Sequence, residues 1–124
     1  MPKVLIVDDS SIMRNLLRKQ LTEMGCEVVG EAADGEEAVK RYRALRPDVV
    51  TMDIVLPSGT GMDVIKKIRL EDPKAKIIMV SAMDQEKAVM EALCLGACGY
   101  VVKPAKAAAL KEEIEKIMNL EKIQ

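Results

Sequence analysis

The chain contains no histidine. That excludes every mechanism that runs through an imidazole, including Ser-His-Asp and Cys-His nucleophiles and His-based acid–base chemistry. Carboxylates, hydroxyls, lysine or a bound metal must carry whatever chemistry there is. Asp8 and Asp9 follow the apolar run KVLIV, Asp53 follows VVTM, Ser81 follows KIIMV and Lys103 follows GYVV. Asp53 poses the sharpest question, because its surroundings, VVTMDIVLP (49–57), are apolar or β-branched almost throughout. Taking an isolated carboxylate out of water costs several kcal/mol even after relaxation. Either Asp53 sits at a strand's exposed end or a cation waits for it. Carboxylates packed together repel unless a cation intervenes. Mg2+ suits such a place, since it takes one or two carboxylates with waters and a phosphate oxygen. A carboxylate held by metal and lysine can attack phosphorus and become an aspartyl phosphate. Phosphoryl transfer of this kind needs mostly positioning and neutralised oxygens. Mg2+ and Lys103 would supply the positive charge, and Ser81 would hydrogen-bond a phosphoryl oxygen.

Taken singly, each residue is ordinary: an acid pair caps helices, and a serine or Lys-Pro ends a strand in a turn. The elements decide whether they meet. Buried-strand runs are KVLIVD (3–8), EVVGEA (27–32), DVVTMD (48–53), KIIMVS (76–81) and GYVVK (99–103). Helical spacing fills the intervals. Ser11 to Met24 carries Ile12, Met13, Leu16, Leu17 and Leu21 on one stripe and closes at Gly25, a C′ glycine. Asp34 caps a helix that carries Ala38, Val39, Tyr42 and Leu45 and stops before Pro47. Met62 to Leu70 turns Val64, Ile65 and Ile68 inward. Asp84 caps a helix to Leu95 with Ala88, Val89, Ala92 and Leu93 inward. The last helix runs from about Ala105 to Leu120 with Leu110, Ile114 and Ile117 at helical spacing. Strands without in/out alternation, each followed by a helix, predict a single α/β domain over 1–124. It has a parallel sheet covered on both faces and right-handed crossovers. In such a sheet all strand C-termini share one edge, where ligands bind. That edge collects Asp8, Asp9, Asp53, Ser81 and Lys103.

The totals agree and exclude other classes. With 124 residues and a net charge of −1, the chain is long enough to bury a core and gives no electrostatic case for nucleic acid. No apolar run approaches the roughly 20 residues that span a bilayer, and MPKVLIVDDS is too short and acidic for a signal peptide. Cys26, Cys94 and Cys98 lack CxxC spacing, so they read as buried or half-buried thiols of a reducing cytosol rather than a zinc site.

At the edge residues the sequence resembles the response-regulator receiver family, over the whole chain. VDDSSIMR (7–14) is similar to the family's acid-pair motif. MDIVLPSGTG (52–61), with Pro57 and Gly61, is similar to its phosphoacceptor motif. MVSAMD (79–84) and GYVVKP (99–104) are similar to its hydroxyl and lysine motifs. The resemblance implies a flavodoxin-like, CheY-like (βα)5 sheet with strand order 2-1-3-4-5 and no output domain. It implies that Asp8, Asp9 and Asp53 hold Mg2+ together with the backbone carbonyl of Val55. Asp53 would accept phosphoryl from a phosphohistidine of a CheA-like histidine kinase, and Ser81 and Lys103 would bind the phosphoryl group. Ser81 and Tyr100, the family's rotating aromatic, would form the switch, and Lys103–Pro104 would be cis. A partner would read the face built by the fourth helix, fifth strand and fifth helix. The protein would then be a cytoplasmic, monomeric switch rather than an enzyme, without membrane or nucleic-acid partners.

Within the family the chain looks most like stand-alone CheY-type chemotaxis regulators, which act on a flagellar motor switch component and can meet a phosphatase. It departs from them on the output surface. Ala105 stands where Phe usually follows Lys-Pro, Ala107 to Ala109 come next, and Ile12 and Met13 replace a frequent aromatic. Val55 and Met83 flank the site and lack an acid or amide to orient water, which predicts slow self-dephosphorylation. The alternatives are a phosphorelay intermediate or a receiver with a non-motor partner. A haloacid-dehalogenase-type Mg2+ phosphohydrolase would need Asp-x-Asp after strand one and a cap insertion. A flavodoxin would need aromatics around a flavin, and two tyrosines are the only aromatics present.

Overall fold

The computed structural model describes residues 1–57, 59–82 and 86–123, the last four of these in backbone only. Asp84, expected to cap a helix, and Met83 lie outside the described residues. The elements are β1 (Lys3–Val7), α1 (Ser11–Glu23), β2 (Glu27–Ala32), α2 (Gly35–Leu45), β3 (Val49–Asp53), α3 (Gly61–Glu71), β4 (Ile77–Ser81), α4 (Glu86–Cys94), β5 (Gly99–Val102) and α5 (Ala107–Ile123). A two-residue antiparallel ladder, Val55–Leu56 against Gly59–Thr60, sits in the β3–α3 connection. All pairings in the main sheet are parallel and its order is 2-1-3-4-5, as expected. The first and last strands end one residue earlier than expected, at Val7 and Val102, so Asp8 and Lys103 stand just beyond them, and α5 begins at Ala107 rather than Ala105.

Local chemistry sets the ends. The Ser10 hydroxyl accepts from the Met13 amide at 3.2 Å, and the Asp34 carboxylate accepts from the Glu37 amide at 2.8 Å. Gly25 takes a φ of +88°, which a side chain would resist, and lets Cys26 N–H reach back to the Leu21 carbonyl at 2.9 Å. The stripe on α1 is narrower than its spacing predicts. Leu17 and Leu21 are buried and Met13 is partly so, but Ile12 is 81% and Leu16 38% exposed. Residues 13, 17 and 21 follow the i, i+4 row, and Ile12 and Leu16 lie about 100° around the helix from it. Cys26 is buried, whereas Cys94 and Cys98 are exposed, contrary to expectation. They lie at the end of α4 and in the turn beyond it, outside the buried row of Val89 and Ala92.

Alternation along the strands splits the core. Val4, Ile6, Val49, Ile78, Val80 and Val101 pack under α1 and α5. Leu5, Val7, Val50, Met52, Ile77 and Met79 pack under α2, α3 and α4. The parity carries to the strand ends. Asp8, Asp53 and Lys103 continue the α1/α5 side, and Ser81 continues the α2–α4 side. Thr51, also on the α1/α5 side, sits between Ile6 and Ile78 in register, is fully buried, and its hydroxyl has no hydrogen-bond partner among the described residues.

An unpaired hydroxyl in an apolar setting is a liability that a near-isosteric methyl removes. Thr51→Val is therefore expected to stabilise the fold by about 1 kcal/mol, read from urea unfolding midpoints.

Candidate functional site

The C-terminal edge of the sheet gathers the charges. Asp8 leaves β1 with 1% exposure, Asp53 ends β3 with 6%, and Lys103 follows β5. The Lys103 ammonium lies 3.2 Å from Asp8 Oδ2 and 3.2 Å from Asp53 Oδ2. Asp8 Oδ1 accepts from the Ser10 amide at 2.9 Å, and Asp53 Oδ1 meets the Val55 amide at a long 3.4 Å. Asp9 is exposed beside them. Asp8, Asp9 and Asp53 each offer an oxygen, and all three lie within 4.8 Å of one another. Among the described residues one ammonium thus serves carboxylates that outnumber it.

The imbalance shows in ionisation. Burial, and then the charge of Asp8, push the Asp53 carboxyl above its ordinary range, against the pull of Lys103 and the Val55 amide. Burial works against the charge of Lys103, yet Asp53 and Asp8 beside it hold its pKa above the usual lysine value. Clustered hard oxygens, one of them on a buried and destabilised carboxylate, fit a hard dication better than any soft metal.

Gly61 explains how Asp53 is delivered. A Cβ at this position would stand 2.2 Å from the Asp53 carbonyl oxygen. The Gly61 amide donates to the Ile54 carbonyl at 2.6 Å. The start of α3 therefore closes directly onto the end of β3, and only a residue without a side chain fits there.

Ser81 and Tyr100 are placed differently. The Ser81 hydroxyl is buried on the α2–α4 side and, among the described residues, has no hydrogen-bond partner. It is tied to the charged trio through the backbone, since Lys103 N–H donates to the Ser81 carbonyl at 2.6 Å. Beside it lies a cavity of about 310 Å³ whose walls include Val89, Met90, Tyr100 and Val102. Tyr100, 46% exposed, stands at its side. Val55 is also exposed, at 58%, and Lys103–Pro104 is cis. The sequence therefore located Asp8, Asp9, Asp53 and Lys103 in one cluster, with Ser81 adjoining it.

Two polar side chains escaped notice. Arg14 Nη1 donates to the Asp8 carbonyl at 2.6 Å. Gln20 Nε2 donates to the Ala105 carbonyl at 2.8 Å, fixing the loop after Lys103. Arg14 carried a signal, because a cation in the first turn of a helix opposes the macrodipole and needs another reason to be there. Gln20 carried none; its partner is 85 residues away.

Comparison with known proteins adds to this geometry. A family model described as response regulator receiver domain matches residues 4–115. The chain is 48% identical over 115 residues to the chemotaxis protein CheY of Thermotoga maritima, covering 93% of this chain and 96% of that one. It is 45% identical over 118 residues to protein CcdB of Bacillus subtilis, covering 95% and 98%. The fold superimposes with a TM-score of 0.89 and 36% identity on a Borrelia burgdorferi CheX–CheY–BeF3–Mg2+ complex, covering 94% of this chain and 88% of that one.

Among the folded protein's carboxyls Asp53 has a stability consequence. Its folded pKa is raised, so the folded chain holds this proton more tightly than the unfolded chain. Stability is then lost as pH rises through the window between the two values, and ionised Asp53 weakens the metal-free fold at neutral pH. Asp53→Asn is expected to raise the thermal midpoint by a few degrees in the presence of a chelator. The gain should shrink as pH falls to where Asp53 takes its proton. A lower midpoint at neutral pH would mean that the pairing with Lys103 outweighs burial and Asp8.

Proposed function

The chain belongs to the response regulator receiver domain family, and on that footing we propose that it is a phosphorylation-gated signalling switch with Asp53 as the acceptor. The observation that carries this reading is the Lys103 ammonium held 3.2 Å from both Asp8 and Asp53. Asp53 is buried, repelled by Asp8 and only part-neutralised, so a reaction that brings further cationic help is favoured at this carboxylate.

In the step, a carboxylate oxygen of Asp53 attacks phosphorus on a phosphohistidine of a CheA-like kinase. The new P–O bond forms as the P–N bond breaks, and its electron pair leaves with the imidazole. Mg2+, held by Asp8, Asp9, Asp53 and the Val55 carbonyl, would neutralise phosphoryl oxygens; the relative solved with BeF3 and Mg2+ supports that ion. Lys103 pairs with one phosphoryl oxygen. Ser81, whose hydroxyl has no competing partner among the described residues, donates to another. On this reading the protein assists only its own phosphorylation and dephosphorylation, a switch rather than an enzyme.

Phosphorylation takes Asp53 from about −1 to about −2 and adds strong acceptors. As Ser81 turns toward them, Tyr100 enters the cavity beside it, and the face built by α4, β5 and α5 repacks. A partner that binds one packing better than the other reads the signal. Similarity to the chemotaxis protein CheY of Thermotoga maritima supports a role in chemotaxis. On this reading the target would be a flagellar motor switch component and the protein would act as a cytoplasmic monomer. A comparable similarity to protein CcdB, a relative not named for chemotaxis, supports a second reading, a receiver or phosphorelay intermediate with a non-motor partner. Val55, apolar and exposed at the mouth, offers nothing to orient water, which supports a long-lived phosphoryl group.

Intact-protein mass after incubation with acetyl phosphate tests the acceptor. One phosphoryl group is expected with Mg2+, none with chelator, none in Asp53→Asn, and slow loss once the donor is removed. A folded wild-type protein that gains no mass at any Mg2+ concentration would refute the reading.

A further inference from the structure

The placement of the acid pair depends on one peptide plane, and a residue outside the cluster holds it. The amide of Asp8 donates to the Ala32 carbonyl on β2 at 3.0 Å, which fixes the peptide before Asp8. The carboxylate of Asp8 is fixed by the Ser10 amide and Lys103. The peptide between Asp8 and Asp9 is the remaining freedom, and turning it would move the two carboxylates relative to each other. Its oxygen is held by Arg14 Nη1 at 2.6 Å.

Arg14 is itself anchored. Its Nε lies 3.0 Å from Glu31 Oε1, and Glu31 stands on β2 in register with Ile6 of β1. The other Glu31 oxygen takes Arg18 through Nε at 2.8 Å and Nη2 at 2.6 Å. The Arg14 side chain is 19% exposed and that of Arg18 is 46% exposed. Only the better-shielded arginine touches the acid pair. A guanidinium can bind a carboxylate and a carbonyl at once from a planar fork, and an ammonium cannot match that geometry.

We infer that Arg14 is a positioning residue for the cation site, locking the Asp8–Asp9 peptide plane to β2 so that both carboxylates point at one ion. This deepens the proposed function and rests on its reading of the acidic cluster as a Mg2+ site. Charge alone makes the opposite prediction, because deleting a cation beside an acidic pocket should tighten binding of a dication. Outer-shell partners of metal ligands commonly contribute about 10-fold or more to affinity.

The test is calorimetric titration of MgCl2 into the metal-free full chain. Arg14→Gln is expected to bind Mg2+ about 10-fold more weakly. Arg14→Lys, which keeps the charge but loses the fork, should be weakened as well. Arg18→Gln removes the same charge from the same glutamate without touching Asp8 and should bind as the wild type does or more tightly. Binding by Arg14→Gln that equals or exceeds the wild type overturns the proposal. Amide resonances of Asp9 and Ser10 in the metal-free protein provide a second readout. They are expected to shift in Arg14→Gln and to hold in Arg18→Gln, and no shift in the former overturns the positioning role. If the wild type takes up no Mg2+, the reading of the cluster falls, and these resonances still decide whether Arg14 sets the peptide plane.

Discussion

Like charges forced together at the end of a parallel sheet are the constraint on which the rest of the molecule depends. Parallel strands deliver their C-termini to one edge, so Asp8 and Asp53, on neighbouring strands, cannot avoid each other. Asp8 is 1% and Asp53 6% exposed, so solvent does little to separate them. One ammonium, Lys103, reaches both. Breaking such a buried arrangement by removing its cation would leave uncompensated charge, a strongly destabilising outcome. The cluster is thus stable enough to fold and still short of positive charge, a combination suited to recruiting a cation and a phosphoryl group.

The sheet separates the acid cluster from the surface that the proposed switch would use. Strand alternation puts the charged trio on the side of α1 and α5 and puts Ser81 on the side of α2, α3 and α4. A backbone bond from Lys103 N–H to the Ser81 carbonyl links the two sides at the edge. The walls of the cavity beside Ser81 include Val89 and Met90 of α4 and Tyr100 and Val102 of β5. In the proposed switch, a change in what Ser81 bonds to would therefore be felt on a different surface from the one where the acids lie. Elsewhere the packing is stiff: Gly61 closes onto the Asp53 carbonyl, and Gln20 holds the loop after Lys103. Among the described residues the buried Ser81 hydroxyl has no hydrogen-bond partner, and the Tyr100 ring beside it is partly exposed.

Most of this architecture is legible in the sequence because its signals are local. Val/Ile runs mark the strands, Ser10 and Asp34 mark helix starts, Gly25 marks a helix end, and Asp53 appears at a strand's mouth once the strands are counted. Periodicity misplaced Ile12 and Leu16, because it cannot tell which row of an apolar α1 meets the sheet. It also gave no hint that Cys94 and Cys98 face solvent, since small side chains at the end of α4 carry little pattern. Arg14 and Gln20 were missed for a different reason. Each donates to a backbone carbonyl, Asp8 in one case and Ala105 in the other, and a carbonyl has no letter in the sequence.

The most direct measurement follows the Asp53 carboxyl carbon by NMR across pH, in chelator and then in saturating MgCl2. The account predicts a titration above the ordinary aspartate range without metal, and a fall well below that range once Mg2+ neutralises the edge. An Asp53 that titrates as an ordinary aspartate and ignores Mg2+ would contradict it.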